Sequence, residues 1–188
     1  MAYATENLLR EWNVMVTARN EGFERTCMLL GRFSPIKSTD YTNALVMKVD
    51  DFGSFFDWLM EEVGRDPGIL KYDISRIVPA QHTFAFDDGD DLGKQVVEIA
   101  LGWLDEIAGH SFHVRMHRRG LKGRVDSREI EERVGRAVMG ALQQRGETCL
   151  VEFEAPDLVI DIETLGHRAG LSLWTREAMQ NYLFLRVG

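Results

Sequence analysis

Six segments within residues 12–79 carry strand and helix signals, and their order constrains the fold more than any other feature of the chain. The first helix signal begins near Gly22 and ends before Pro35, which cannot continue a helix. The second has apolar residues three and four positions apart, namely Phe52, Phe55, Phe56, Leu59, Met60 and Val63. The strand signals are short runs rich in apolar and β-branched residues, at residues 12–17, 36–38, 43–49 and 72–79.

The resulting order is strand, helix, strand, strand, helix, strand. It predicts a ferredoxin-like arrangement (βαββαβ), in which two split βαβ units contribute to one antiparallel sheet. Because this arrangement serves many unrelated functions, it predicts an α+β fold without indicating an activity.

An acidic run at residues 87–91 separates this region from the second half of the chain. The run lacks the spaced acids and the terminal glutamate of an EF-hand calcium loop, so the favoured interpretation is a solvated linker that caps the next helix. We therefore predict a ferredoxin-like domain at residues 1–86 and a second domain at residues 87–188.

The second half has a mixed α/β pattern. Helices are predicted at residues 92–108 and 128–145, and strands at residues 112–118, 149–154, 157–163, 169–174 and 181–187. A short helix is also predicted at residues 5–11. Strand, helix and strand in succession imply a right-handed parallel crossover from residues 112–118 to residues 149–154.

A basic stretch at residues 111–124 stands out in a chain of net charge -8. His113, Arg115 and His117 alternate with apolar residues, which predicts a half-buried strand with a basic face. The following loop contains Arg119, Lys122 and Arg124 but no acid, and it leads into a helix N-terminus, where phosphate is favoured. The residues therefore allow two interpretations: a phosphate-binding surface, or a solvated strand whose charges pair with the acidic first domain.

No catalytic residue, metal site or cofactor is predicted from the residues. On a strand, His113 and His117 would lie about 13 Å apart, too far to share a zinc ion. The sequence has no glycine-rich nucleotide motif and no nucleophile elbow, and Cys27 and Cys149 are isolated thiols expected to be reduced core residues. We therefore expect that the protein is not an enzyme.

The cellular location is predicted from two features. No apolar run approaches the roughly 20 residues needed to cross a bilayer. The N-terminus also lacks the basic start and apolar core of a secretory signal. A cytoplasmic protein without a membrane segment is the expectation.

Three motifs over roughly residues 88–175 resemble the THUMP domain. The first is a strand with Phe112, Val114 and Arg118, and the second is a helix with Glu129 and Gly135. The third is a hairpin pattern formed by Val151, Phe153, Pro156, Asp157, Ile160, Ile162 and Glu163. A ferredoxin-like domain commonly precedes THUMP, in agreement with the pattern predicted for residues 12–79.

This resemblance implies binding of tRNA, chiefly its acceptor stem and 3′ end, and its delivery to a modifying activity. The layout is most similar to that of stand-alone THUMP adaptors, which assist a separate tRNA cytidine acetyltransferase. The expected partners are therefore tRNA and a modifying enzyme such as an acetyltransferase. The expected phosphate contacts are Arg115, Arg118, Arg119, Lys122 and Arg124, and His113 and His117 are expected to contact sugar or base.

Two alternatives to the adaptor remain open. One is a non-catalytic subunit of a split tRNA thiolation or methylation enzyme, and the other is a protein-interaction module that does not bind RNA. Glu152 and Glu154, together with the acidic first domain, would repel RNA over much of the surface and limit its footprint.

Overall fold

A computed structural model describes residues 7–187, which divide into two compact units. The first unit runs to Ala80 and includes Met179–Arg186, and the second comprises Gln81–Ala178 with Val187. The domain boundary expected between residues 86 and 87 lies slightly further along the chain than this division and stays a prediction. None of the described helices is long and apolar enough to cross a membrane.

The first unit has the predicted ferredoxin-like topology. Its sheet has the strand order β2-β3-β1-β4, and every neighbouring pair is antiparallel. The elements are α1 (Leu8–Glu11), β1 (Val14–Ala18), α2 (Phe23–Leu30), β2 (Ile36–Ser38), β3 (Ala44–Met47), α3 (Phe52–Arg65) and β4 (Ile74–Pro79). Residues 5 and 6 of the predicted first helix lie outside the described residues.

A close approach of two backbones shapes the entry to β4. A Cβ on Gly22 would lie 2.2 Å from the Cα of Asp73, so only glycine fits there. Residues Ile69–Asp73 form a π-helical turn, and β4 therefore begins at Ile74 rather than at Tyr72 as predicted.

The last strand predicted at residues 181–187 is wrong. Residues Arg176–Asn181 form α7, and the chain then turns, with the Leu185 N–H donating to the Tyr182 carbonyl at 2.8 Å. Phe184 is buried and packs edge-on against Phe56, with ring centroids 5.3 Å apart. Aromatic packing therefore joins Met179–Arg186 to the first unit, whereas the sequence predicts this segment within the second domain.

The second unit is built on a mixed five-stranded sheet with the order β5-β9-β8-β6-β7. Strand β6 lies parallel to both of its neighbours, and the remaining pairs are antiparallel. The elements are β5 (His82–Ala85), α4 (Gly89–Leu101), α5 (Leu104–Ile107), β6 (Ser111–Arg119), α6 (Ser127–Gln144), β7 (Leu150–Val151), β8 (Leu158–Leu165) and β9 (Arg168–Thr175).

Three details of the second unit differ from the prediction. The helix expected at residues 92–108 is interrupted, because the Gly102 N–H turns back to the Ile99 carbonyl at 2.9 Å. Strand β5 was not predicted, and the strand expected at residues 149–154 has only two residues. The parallel pairing of β6 with β7 agrees with the expected crossover.

The core of the second unit lies between the sheet and helices α4 and α6. Phe112, Val114 and Met116 of β6 enter this core, as their alternation predicts. The acidic run caps α4, because the Asp88 carboxylate accepts from the Asp91 N–H at 2.9 Å. Asp126 caps α6 in the same way, accepting from the N–H groups of Arg128 and Glu129.

Candidate nucleic-acid interface

The register of β6 against β8 decides which of its basic residues face acids. Arg115 is paired with Asp161, and His117 with Glu163. Both carboxylate residues are about 1% exposed, whereas Arg115 is exposed. Both basic residues therefore lie beside a buried acid, but Arg115 also reaches solvent, whereas His117 is half-buried.

At the C-terminal end of β6, Arg119 forms an ion pair with the buried carboxylate of Glu163. The Arg119 side chain is only 17% exposed, and its backbone N–H donates to the Thr164 hydroxyl at 3.1 Å. Arg119, predicted to contact phosphate, is therefore mostly buried against the sheet, beside an acid.

His117 belongs to the same buried cluster. Its ring and the carboxylates of Asp161 and Glu163 offer ligand atoms that all lie within 4.8 Å of one another, a composition that suits a metal ion. However, the Arg119 guanidinium already brings a positive charge to Glu163, which opposes a second cation there. We therefore assign no metal to this cluster.

The loop after β6 presents the remaining predicted cations. Gly120 and Gly123 have φ angles of 94° and 78°, in the region that favours glycine. The Arg124 N–H donates to the Leu121 carbonyl at 3.0 Å, which closes the turn. Lys122 and Arg124 are exposed as a result.

The loop at residues 120–124, which we call the basic loop, borders a shallow cleft of about 600 Å³. Its cationic walls are Arg118, Arg124 and Arg128, and the half-buried Arg118 donates a hydrogen bond to the Gly120 carbonyl. Asp126 and Glu129 line the same cleft at the start of α6. Because these acids offset the positive helix terminus, the loop cations and not the terminus supply the attraction for an anion.

A second cleft, of about 490 Å³, lies between β6, α6 and the segment after β7. The His113 ring contacts the Phe153 ring edge-on, with centroids 5.1 Å apart, and Phe153 is 73% exposed. Arg115, Arg128 and Arg136 bring positive charge to the cleft. We call it the Phe153 cleft. Arg128 lines both clefts, so the two adjoin.

Burial lowers the pKa of His113 from its usual value, and the nearby Arg115 acts in the same direction. Glu131 opposes this shift. The imidazole is therefore neutral at pH 7, and it meets Phe153 as an uncharged ring.

The structure thus divides the seven predicted site residues into three groups. His113 and Arg115 line the Phe153 cleft, while Arg118, Lys122 and Arg124 lie at the basic loop. His117 and Arg119 belong to the buried carboxylate cluster. Sequence reasoning did not assign Phe153, Arg128 or Arg136 to the site, although Phe153 belongs to the third motif of the family resemblance.

Comparisons with known proteins address the fold. The THUMP domain model matches residues 86–173. The structure resembles PH1313 from Pyrococcus horikoshii at 18% identity, with a TM-score of 0.56, covering 86% of this chain and 54% of that one. It resembles TrmN from Thermus thermophilus at 20% identity, with a TM-score of 0.56, covering 86% and 44%.

A third similar structure is a 4-thiouridine synthetase in complex with RNA and bound ATP, at 16% identity and a TM-score of 0.50. The match covers 87% of this chain and 41% of that one, so the chain spans about half the length, or less, of these structures. No curated protein sequence matches the chain. The model match and the topology together establish that the chain contains a THUMP domain, at residues 86–173, preceded by a ferredoxin-like unit.

Proposed function

We propose that this protein binds tRNA through its THUMP domain and presents the acceptor stem and 3′ end to a separate modifying enzyme. The observation that carries the proposal is the basic loop, where Lys122 and Arg124 are exposed beside Arg118 in a chain of net charge -8. Phosphate contacts of this kind supply affinity and position but read little sequence.

The adjoining Phe153 cleft favours RNA over a small anion as the ligand. A phosphate or sulfate ion needs only cations, whereas a nucleic acid also offers bases that pack on exposed aromatic rings. Phe153 is exposed, and Arg115, Arg128 and Arg136 lie around the same cleft. Cations and an exposed aromatic ring therefore occur together in this cleft, a combination that suits RNA.

One of the similar structures also supports RNA as the ligand, since the 4-thiouridine synthetase was solved with RNA bound. THUMP domains are RNA-binding modules, and proteins that carry them act on tRNA. The sequence has no glycine-rich nucleotide motif or nucleophile elbow, so we propose an adaptor role without catalysis. A tRNA cytidine acetyltransferase is the proposed partner enzyme.

The test is a gel shift with tRNA, with tRNA trimmed of its unpaired 3′ nucleotides, and with a DNA duplex of equal length. We expect binding of the intact tRNA, weaker binding of the trimmed tRNA, and the weakest binding of DNA. Equal, weak retention of all three nucleic acids would contradict the proposal and favour a protein-interaction module. The adaptor role is tested separately by adding the protein to a tRNA acetylation assay, where the product yield is expected to rise.

A further inference from the structure

One edge of β6 is open where it borders the Phe153 cleft. Strand β7 pairs with β6 only at Ser111 and Phe112, and the Glu152 N–H, just after β7, donates to the Phe112 carbonyl at 3.0 Å. Within the described residues, no strand continues this pairing. Further along the edge, the Met116 N–H donates to the Glu131 carboxylate at 2.7 Å.

Strand parity turns the backbone of Val114 toward this open edge. The backbone N–H and C=O groups of the odd-numbered residues of β6 point toward β8, as the bond from the Gly166 N–H to the Arg119 carbonyl indicates. The N–H and C=O of Phe112 and Met116 point the other way, and those of Val114 must do the same. Val114 therefore offers one donor and one acceptor to the cleft that it lines.

The other walls of the cleft carry apolar side chains, cations and two acids. Phe153 and Met139 are 73% and 44% exposed, respectively, and Val151 lies beside them. A Cβ on Gly135 of α6 would meet no atom within 4 Å, so the helix leaves open volume at that position. Of the two acids in the cleft, Glu131 accepts from Met116 and Glu132 pairs with Arg128 and Arg136.

We propose that the Phe153 cleft holds one unstacked nucleobase of the bound RNA. The base packs on Phe153, and its hydrogen-bonding edge meets the N–H and C=O of Val114. The adjoining phosphate lies near Arg115 and Arg136. The proposal rests on the proposed RNA-binding function and assigns to one site the recognition of an unpaired nucleotide.

The size of the open edge favours a base over an added peptide strand. A peptide that extends a sheet needs a row of backbone donors and acceptors. Here the Phe112 carbonyl and the Met116 N–H are already bonded, so Val114 is the position between them. Each nucleobase carries an adjacent donor and acceptor on one edge, which suits a single residue.

The test compares two fluorescently labelled RNA hairpins that share one stem. One is blunt, and the other has a four-nucleotide single-stranded 3′ extension. Wild type is expected to bind the extended hairpin more tightly. Phe153→Ala is expected to weaken binding of the extended hairpin roughly tenfold and to leave the blunt hairpin unchanged, because stacking on an aromatic ring contributes about that much per base. Phe153→Trp is expected to retain the wild-type affinity.

A matched pair of helix variants tests the cleft itself. Gly135→Leu fills the open volume and is expected to weaken binding of the extended hairpin. Gly140→Leu makes the same change at a position of α6 that does not line the cleft and has equally open surroundings, and it is expected to have no effect.

The outcomes separate the two proposals. If wild type and all variants bind both hairpins equally, no base occupies the cleft, while RNA binding stands; a peptide strand on this edge would give that result. If Phe153→Ala weakens both hairpins to the same extent, the base site is likewise overturned. If wild type binds neither hairpin, the proposed function fails together with the base site.

Discussion

Arg119 of β6 forms an ion pair with Glu163 of β8, and the Glu163 carboxylate is almost completely buried. This contact distinguishes Arg119 from the loop cations, although all of them belong to one basic stretch of the sequence. Arg119 is paired with a buried acid, whereas Lys122 and Arg124, a few residues further on, are exposed. A variant that combines Arg119 with loop residues would therefore confuse loss of folding with loss of binding.

The first prediction concerns the stability of this pair. Arg119→Gln is expected to lower the free energy of unfolding by about 3 kcal/mol, because it leaves the buried Glu163 without this partner. The double variant Arg119→Gln/Glu163→Gln is expected to recover much of that loss, since the Glu163 charge that Arg119 balances is then absent as well. Denaturant titrations of both variants measure the coupling.

Arg145→Gln is the control, because Arg145 pairs with Asp105 at the surface, where the two side chains are 45% and 89% exposed. Exposed pairs contribute little, so no measurable change is expected. Equal losses in Arg119→Gln and the control would show that the buried pair does not stabilise the fold.

The second prediction concerns the acid beside the basic loop. Asp126→Ser keeps an N-cap for α6 but removes a negative charge from the shallow cleft beside the basic loop. We expect the free energy of unfolding to stay the same, because serine caps a helix about as well as aspartate does. We expect the RNA affinity to rise about threefold, which is the size of effect that one charge near a helix terminus typically has. Asp126→Ala is expected to cost about 1 kcal/mol of stability, because it loses the cap as well. An unchanged or lower affinity for Asp126→Ser would place the RNA elsewhere.

Much of the fold was predictable because its signals are local. The aromatic spacing of α3, the alternation in β6 and the caps at Asp88 and Asp126 depend on residues close together in sequence. The division of the basic residues was not predictable, since it depends on the register of β6 with β8. His117 and Glu163 are neighbours in the sheet but lie far apart in the sequence, so no local pattern predicts their pairing.

The same reason explains the remaining differences. Strand β5 is short and is specified by its pairing with β9, and the segment after α7 is fixed by contacts of Phe184 with distant residues of the first unit. The Phe153 cleft requires β6, α6 and the segment after β7 together, so its lining could be recognised only in part from the family motifs.

The third prediction is a pH dependence of stability. The pKa of His113 lies below its usual value of 6.5 because the folded state buries the ring. As the pH falls through the usual value, the unfolded chain takes up a proton that the folded chain does not, so stability decreases and then levels off below the folded pKa. Unfolding free energies measured between pH 7.5 and pH 5 are expected to fall less for His113→Gln than for wild type. Parallel curves for the two proteins would exclude His113 as a contributor.

The most direct test of RNA binding by the basic loop is the salt dependence of tRNA affinity, measured by fluorescence anisotropy. Lys122→Gln/Arg124→Gln is compared with wild type and with Arg145→Gln, which changes a cation at the opposite end of α6, about 27 Å away along an 18-residue helix. The double variant is predicted to bind tRNA more weakly, with a slope of log Kd against log salt reduced by between about 1 and 2, while the control matches wild type. The same affinity and the same slope in all three proteins would contradict the account.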